Sequence, residues 1–264
     1  MAAAGKRAAQ TQEAKERAGR APTRRDRQRQ ATLAEIHATT RRLLVERGSP
    51  AVTINAVARE MGVSGPALYH YYASHEALVG AVTAGFFQEL TAAMEQARDA
   101  APERPRGSRL MATCRAMRTW ATAHPAEFGW IFAAPTAPPG REPDPERRMA
   151  GQRFERVLLD QVVELWKERP FPAPDLSDLE PSLRAQLEAH AASLDGRLPP
   201  GALHVYLGCW IRLYGLLCME VLHQLDFAFT DLDPVFEECL RDLGAALGLE
   251  TRARRSARES ERHD

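Results

Sequence analysis

The chain has 264 residues, 44% of them apolar, with 35 Lys and Arg against 35 Asp and Glu. That length allows one large domain or two small ones with ample core material, and a formal charge of zero argues at first against a nucleic-acid partner. The balance is uneven, however: residues 1–64 carry 13 cationic and 6 acidic side chains, net +7, whereas 65–264 carry 22 and 29, net −7.

Taken in chain order, residues 1–26 are polar and rich in Ala, Arg and Gln, without an apolar stripe, and are expected to form a disordered basic tail. Leu33, Ile36, Thr40, Leu43 and Leu44 then share one helical face, which Gly48 ends. Thr53 is placed to cap a short helix carrying Ile54, Val57 and Met61. Ser74 is placed to cap a longer one with Leu78, Val82, Phe86, Leu90 and Met94, and Glu76 suits its first turn. The Pro- and Gly-containing stretch 102–107 ends that helix. Further helices are expected at 110–124, 146–168, about 181–193, 201–225 and 234–248, with a short helical piece after Pro125 and a Pro-rich loop at 134–145. Residues 252–264 read as a second disordered tail. No alternating pattern suggests a strand and no repeat is visible, so the fold class is all-α.

Several other classes are disfavoured. There is no run of 18 apolar residues to span a membrane, and the N-terminus has no apolar segment of a secretory signal. Cys114, Cys209, Cys218 and Cys239 form no CxxC pair and have no metal-ligand spacing, so they read as small core residues and no metal or cofactor is expected. HExxH, a phosphate loop and a nucleophile elbow are all missing, so no catalytic residues are assigned and an enzyme is not expected. The expected location is the cytoplasm.

Residues 54–73, INAVAREMGVSGPALYHYYA, carry the strongest signal. A helix-turn-helix needs a small residue where its helices cross, a Gly in the turn and apolar anchors on both helices. Ala58 and Gly62 meet the first two needs. Val57, Met61, Val63, Leu68 and Tyr71 occupy the anchor positions, and Ser64 is placed to cap the second helix. An ordinary helical hairpin also uses a Gly turn, but the preceding helix and the Ser74-His75-Glu76-Ala77-Leu78 helix start favour the DNA-binding motif.

The stretch 33–90, above all Val63-Ser64-Gly65-Pro66-Ala67-Leu68-Tyr69-His70-Tyr71-Tyr72-Ala73-Ser74-His75-Glu76, closely resembles the tetracycline-repressor (TetR) family. The resemblance implies a helix-turn-helix DNA-binding domain at 27–73, a connecting helix at 74–101, and a helical ligand-binding and dimerisation domain at 102–251. It also implies double-stranded DNA with a palindromic operator as partner. Ser64, Gly65, Pro66 and Ala67 would face the major groove, Tyr69 and His70 would reach phosphates or base edges, and Thr53 would contact a phosphate.

Two departures stand out. Positions 65–67 often include a long polar or basic residue in the family and are Gly, Pro and Ala here. That leaves thymine-methyl contact and shape as the means of reading. Position 75 is commonly Lys, and His75 replaces it, so its charge depends on pH. Because 27–100 is balanced between cations and acids, the charge for phosphates is expected from Arg24, Arg25, Arg27 and Arg29.

The resemblance also implies a homodimer through the helices near 201–225 and 234–248, and a pocket for a small apolar or aromatic ligand. Candidate lining residues are Trp120, His124, Phe128, Phe154, Trp210 and Tyr214, each of which also suits plain core packing. The implied activity is repression relieved by that ligand. The alternative is an activator or a ligand-independent DNA-binding regulator.

Overall fold

The computed structural model describes residues 23–133 and 144–249. These divide into two compact units, the first ending at Ala73 and the second beginning at Ser74. The tails at 1–22 and 250–264 and most of the Pro-rich loop lie outside the described residues. The described residues form helices and turns, with no strand among them.

The first unit contains α1 (Arg24–Arg47), α2 (Ile54–Glu60) and α3 (Gly65–Tyr69). The start of α1 corrects the expected tail boundary. Thr23 and Asp26 form a capping box, in which each side chain meets the other's backbone N–H, and the helix runs from Arg24. Arg24, Arg25 and Arg27 therefore stand in the first turns of a helix and not in a loose segment. Gly48, with φ 77°, ends α1 at the expected place.

Burial explains how the three helices hold together. Ile36, Leu43 and Leu44 of α1 join Val52, Ile54, Val57, Ala58 and Leu68 in the core. The small Ala58 lets α2 and α3 approach, and Gly62, with φ 69°, makes the turn that a side chain would strain. Two expected anchors differ. Val63 is 42% exposed, and Tyr72 takes the buried place assigned to Tyr71. Its hydroxyl lies 2.6 Å from Nε2 of His37 on α1. Tyr71 instead carries the Arg29 guanidinium over its ring at 5.4 Å. Glu60 pairs with Arg47 at 3.0 Å and with Arg42 at 3.8 Å, tying α2 to α1.

The second unit contains α4 (His75–Ala100), α5 (Ser108–Ala123), α6 (Pro125–Phe128), α7 (Pro145–Glu168), α8 (Pro181–Ser193), α9 (Pro200–Val221) and α10 (Asp233–Ala246). A π-helical turn, Gly129–Ala133, follows α6. α4 is grouped with this unit instead of standing apart as a connector, and it packs mainly on α5 and α7. Its Gly80 is required by close approach, since a Cβ there would lie 2.7 Å from Cβ of Asp144, the residue that caps α7. Trp130 of the π-helical turn donates its indole N–H to Oγ1 of Thr83 on α4 at 2.9 Å, satisfying both buried groups.

Arginines brace this unit at two places. Arg106 donates to the Leu165 and Arg169 carbonyls and so satisfies the C-terminus of α7. Arg118 of α5 holds Glu220 of α9 at 2.6 Å and Asp233 of α10 at 2.6 Å, and its guanidinium lies 4.8 Å from the Phe236 ring centroid.

α9 is shorter than the sequence suggests, ending at Val221 instead of 225. His223 turns to φ 57°, and the Gln224 N–H closes on the Met219 carbonyl at 2.8 Å, which stops the helix although Leu222 and Leu225 continue its apolar pattern. Both α4 and α9 are long and apolar enough to cross a membrane by length and composition. The apolar window of α4 is largely buried, and that of α9 is mostly uncovered.

Candidate nucleic-acid interface and ligand cavity

The helix-turn-helix is built from caps outward. Oγ1 of Thr53 accepts the Ala56 N–H at 3.1 Å and starts α2, and Oγ of Ser64 accepts the Ala67 N–H at 3.4 Å and starts α3. Pro66 sits in the first turn of α3, where its missing N–H costs nothing. Leu68 alone of α3 is buried, so the remaining residues of this five-residue helix face outward. Ser64, Pro66, Tyr69 and His70 are exposed, and Gly65 and Ala67 are partly so. Tyr69 is 52% exposed, a large ring that the core does not use.

The structure thus gathers the residues from Ser64 to His70 on one short helix and its ends, with Thr53 exposed at the start of α2. Asn55, which the sequence reading passed over, also belongs here. Its Oδ1 would lie 2.9 Å from a Cβ at Gly65, so Asn55 and the start of α3 are in close contact and Gly65 is the residue that permits it. No motif position points to Asn55; only the folded approach of α2 to α3 shows it.

His75 is exposed at the first position of α4, where Oγ of Ser74 accepts the Ala77 N–H at 3.2 Å. Arg24, Arg25 and Arg27 are exposed on α1. Cations at a helix start oppose its dipole by about 0.3–1 kcal/mol each. The Thr23–Asp26 box offsets this, and Thr23 holds the Asp26 carboxyl below the usual carboxylate range.

In the second unit a cavity of about 270 Å³ lies among α4, α7, α8, α9 and the π-helical turn. Phe87, Phe132, Phe154 and Trp210 wall it, with centroid separations of 5.5 Å for Phe87–Phe154, 5.6 Å for Phe132–Phe154 and 5.9 Å for Phe154–Trp210. Tyr206, Glu155 and His190 add polar atoms to the lining. Burial raises the Tyr206 hydroxyl, and loss of water on the cavity side raises the Glu155 carboxyl above its ordinary value, partly opposed by His190.

Of the six expected lining residues, Phe154 and Trp210 line this cavity. Tyr214 stands behind them, stacked on Trp210 at 5.5 Å and donating its hydroxyl to the Phe132 carbonyl at 2.9 Å. Phe128 is fully buried behind Phe132, at 4.8 Å. Trp120 and His124 stack on each other at 5.0 Å at the end of α5 and are not part of the lining. Phe87, Phe132, Glu155, His190 and Tyr206 are lining residues that sequence reasoning missed. Larger clefts, of 820 and 630 Å³, flank the 101–107 loop. Charged side chains in them are engaged in protein contacts, Arg106 with Glu168, Arg109 with Glu103 and Arg115 with Glu237. They are surface grooves stapled by ion pairs.

Comparison with known proteins agrees with both units. The model of the bacterial regulatory proteins of the tetR family matches residues 36–82, and that of the tetracyclin repressor-like C-terminal domain matches 110–243. The HTH-type transcriptional regulator Rv1816 of Mycobacterium tuberculosis is 27% identical over 237 residues, covering 83% of this chain and 93% of that protein. The regulator Mb1846 of Mycobacterium bovis matches equally well. Among solved structures, SCO4313 superposes with a TM-score of 0.66 at 27% identity, over 84% of this chain and 98% of its own. A Rhodococcus protein shares the fold, with a TM-score of 0.59 at 20% identity over 81% of this chain and 93% of its own.

Proposed function

The chain belongs to the tetR family of bacterial transcriptional regulators, and on that premise we propose that it is a dimeric repressor released from a palindromic operator by a small ligand. The observation that carries the DNA-binding role is the outward face of α3, where Ser64, Pro66, Tyr69 and His70 are exposed on a capped helix anchored by Leu68 alone. A helix so presented enters the major groove with its N-terminal end nearest the bases. Gly65, Pro66 and Ala67 offer small apolar surface to thymine methyl groups, while Tyr69, His70 and Thr53 supply hydrogen bonds to phosphates or base edges. Asn55, held against Gly65, adds an amide at the same place. Arg24, Arg25 and Arg27, exposed at the start of α1, supply phosphate charge together with the cations of the preceding tail. His75 contributes one hydrogen bond to a phosphate.

The dimer reading rests on α9 and the segment that follows it, with α10 beside them as the resemblance implies. Ile211 is 66% exposed and Phe227 88%, and Met219, Leu222 and Phe229 are also uncovered. Exposed apolar side chains of this kind suit a second copy of the chain in a four-helix interface. A twofold dimer then reads two half-sites about 34 Å, or a multiple of that, apart. Ligand bound in the aromatic cavity acts by favouring the conformation with lower DNA affinity, and α4, which continues directly from the first unit, is the lever. The protein works in the bacterial cytoplasm, on the nucleoid when bound.

Selection of bound fragments from the native genome tests this reading. Enrichment of a palindrome beside a gene is the expected result, and no enrichment would contradict it.

A further inference from the structure

The aromatic cavity has a chemistry more specific than an apolar pocket. Phe87, Phe132, Phe154 and Trp210 bring four ring systems around one space of about 270 Å³. Among the described residues that line it there is no Lys or Arg, and the carboxylate present is that of Glu155 on α7. Glu155 accepts no hydrogen bond and makes no salt bridge among the described residues, unlike Asp160, five positions along the same helix, which holds Arg197 at 2.7 Å. The neighbouring His190 directs Nδ1 toward Oγ of Ser193 at 3.2 Å. Ring faces carry negative potential, so a box of rings beside a carboxylate, with His190 as its basic neighbour among the described lining residues, favours positive charge. An anionic ligand would meet ring faces and a like charge. A neutral apolar one would strip water from Glu155 and give nothing back.

We propose that this cavity takes a compact lipophilic organic cation, an aromatic or alkyl ammonium whose apolar body lies among Phe87, Phe132, Phe154 and Trp210 and whose charged end faces Glu155. The inference rests on the reading that the second unit binds a small ligand. The volume falls just below the roughly 300–1,000 Å³ of drug-sized pockets, which points to a one-ring molecule. Loss of water on the cavity side raises the Glu155 carboxyl, partly opposed by His190, and a bound ammonium would lower it again.

Three probes of matched shape test the charge. Isothermal titration and ligand-observed NMR on the full chain would compare benzyltrimethylammonium, its carbon isostere neopentylbenzene, and phenylacetate. The ammonium is expected to bind at least about tenfold tighter than the isostere, with phenylacetate weakest. In Glu155→Gln, whose largely exposed position spares the fold, the ammonium should bind at least about threefold more weakly, and the isostere, no longer taking water from a carboxylate, should bind no less tightly than before. An isostere that binds as tightly as the ammonium, a preference for phenylacetate, or an ammonium affinity untouched by Glu155→Gln would overturn the proposal while leaving the cavity a ligand site. Failure of all three probes to bind would overturn both.

Discussion

Replacing Arg118 with Met removes the charge that joins α5, α9 and α10. The Arg118 and Glu220 side chains are only 17% and 10% exposed, and Glu220 accepts from both Nε and Nη2 of the guanidinium. Without Arg118 the Glu220 carboxylate is left nearly buried and unpaired, a change that costs about 3–5 kcal/mol in a buried pair. Asp233 adds little, because it is 77% exposed and remains hydrated when its partner goes. Loss of the cation over the Phe236 ring adds about 0.5–1 kcal/mol, while the Met side chain returns part of the packing. The net expectation is about 3 kcal/mol, which for a unit of this size lowers Tm by about 6–12 °C. Differential scanning calorimetry of Arg118→Met, Glu220→Leu and the double variant measures it. The double variant should recover most of the loss, because an apolar pair replaces a buried ion pair at little cost. A single variant within 1 kcal/mol of the parent, or a double variant as unstable as Arg118→Met, would refute the reasoning.

Gly80→Ala should destabilise the second unit by about 1–3 kcal/mol in urea denaturation, because its methyl would meet Asp144 at 2.7 Å and disturb the cap of α7. Cys114 should resist iodoacetamide in the native protein at neutral pH and react once denatured, since burial pushes its thiol up to about 12; mass spectrometry of labelled peptides reads the difference. The hydrogen-bonded pair of Glu237 with Arg115, at 2.6 Å, gives a pH dependence. Arg115 holds the Glu237 carboxyl below its ordinary value, so the unfolded chain binds the proton more readily. The pair's contribution is therefore complete above the ordinary glutamate pKa and disappears as pH falls through the lowered one. Arg115→Gln should flatten the acid side of a stability-against-pH curve, and an unchanged slope there would count against the pair.

Local chemistry explains what could be read ahead of the structure. Gly62, Thr53, Ser64 and Ser74 each act within one turn of the chain, and all four stand where the turn or cap needs them. Periodicity failed where helices stop. α3 is too short to carry its phase to Tyr71, so the next residue, Tyr72, reaches the core. The apolar run beyond Val221 has no stop signal of its own, and the end of α9 is made by the left-handed turn at His223. At the N-terminus, Thr23 and Asp26 do form a readable capping box, but the dense arginines around it looked like a tail.

The cavity was legible only in part because its walls come from five separate elements. Phe154 and Trp210 could be chosen by type, but nothing local indicates that Phe87 and Phe132 meet them. Trp120 and His124 lie four residues apart, so they stack on each other as the helix spacing allows. The carbonyl bonds of Arg106 depend on contacts across the sequence that no motif encodes.

Sequence-specific recognition through α3 is the centre of this account, and fluorescence anisotropy tests it most directly. The full chain would be titrated with a genome-selected duplex and with the same duplex carrying scrambled half-sites, at physiological salt. The account predicts that the selected duplex binds at least about a thousandfold tighter, and that Tyr69→Ala weakens it by about fivefold or more, about 1–3 kcal/mol, without lowering Tm. Equal affinity for the two duplexes, or a Tyr69→Ala protein that binds as tightly as the parent, would contradict it.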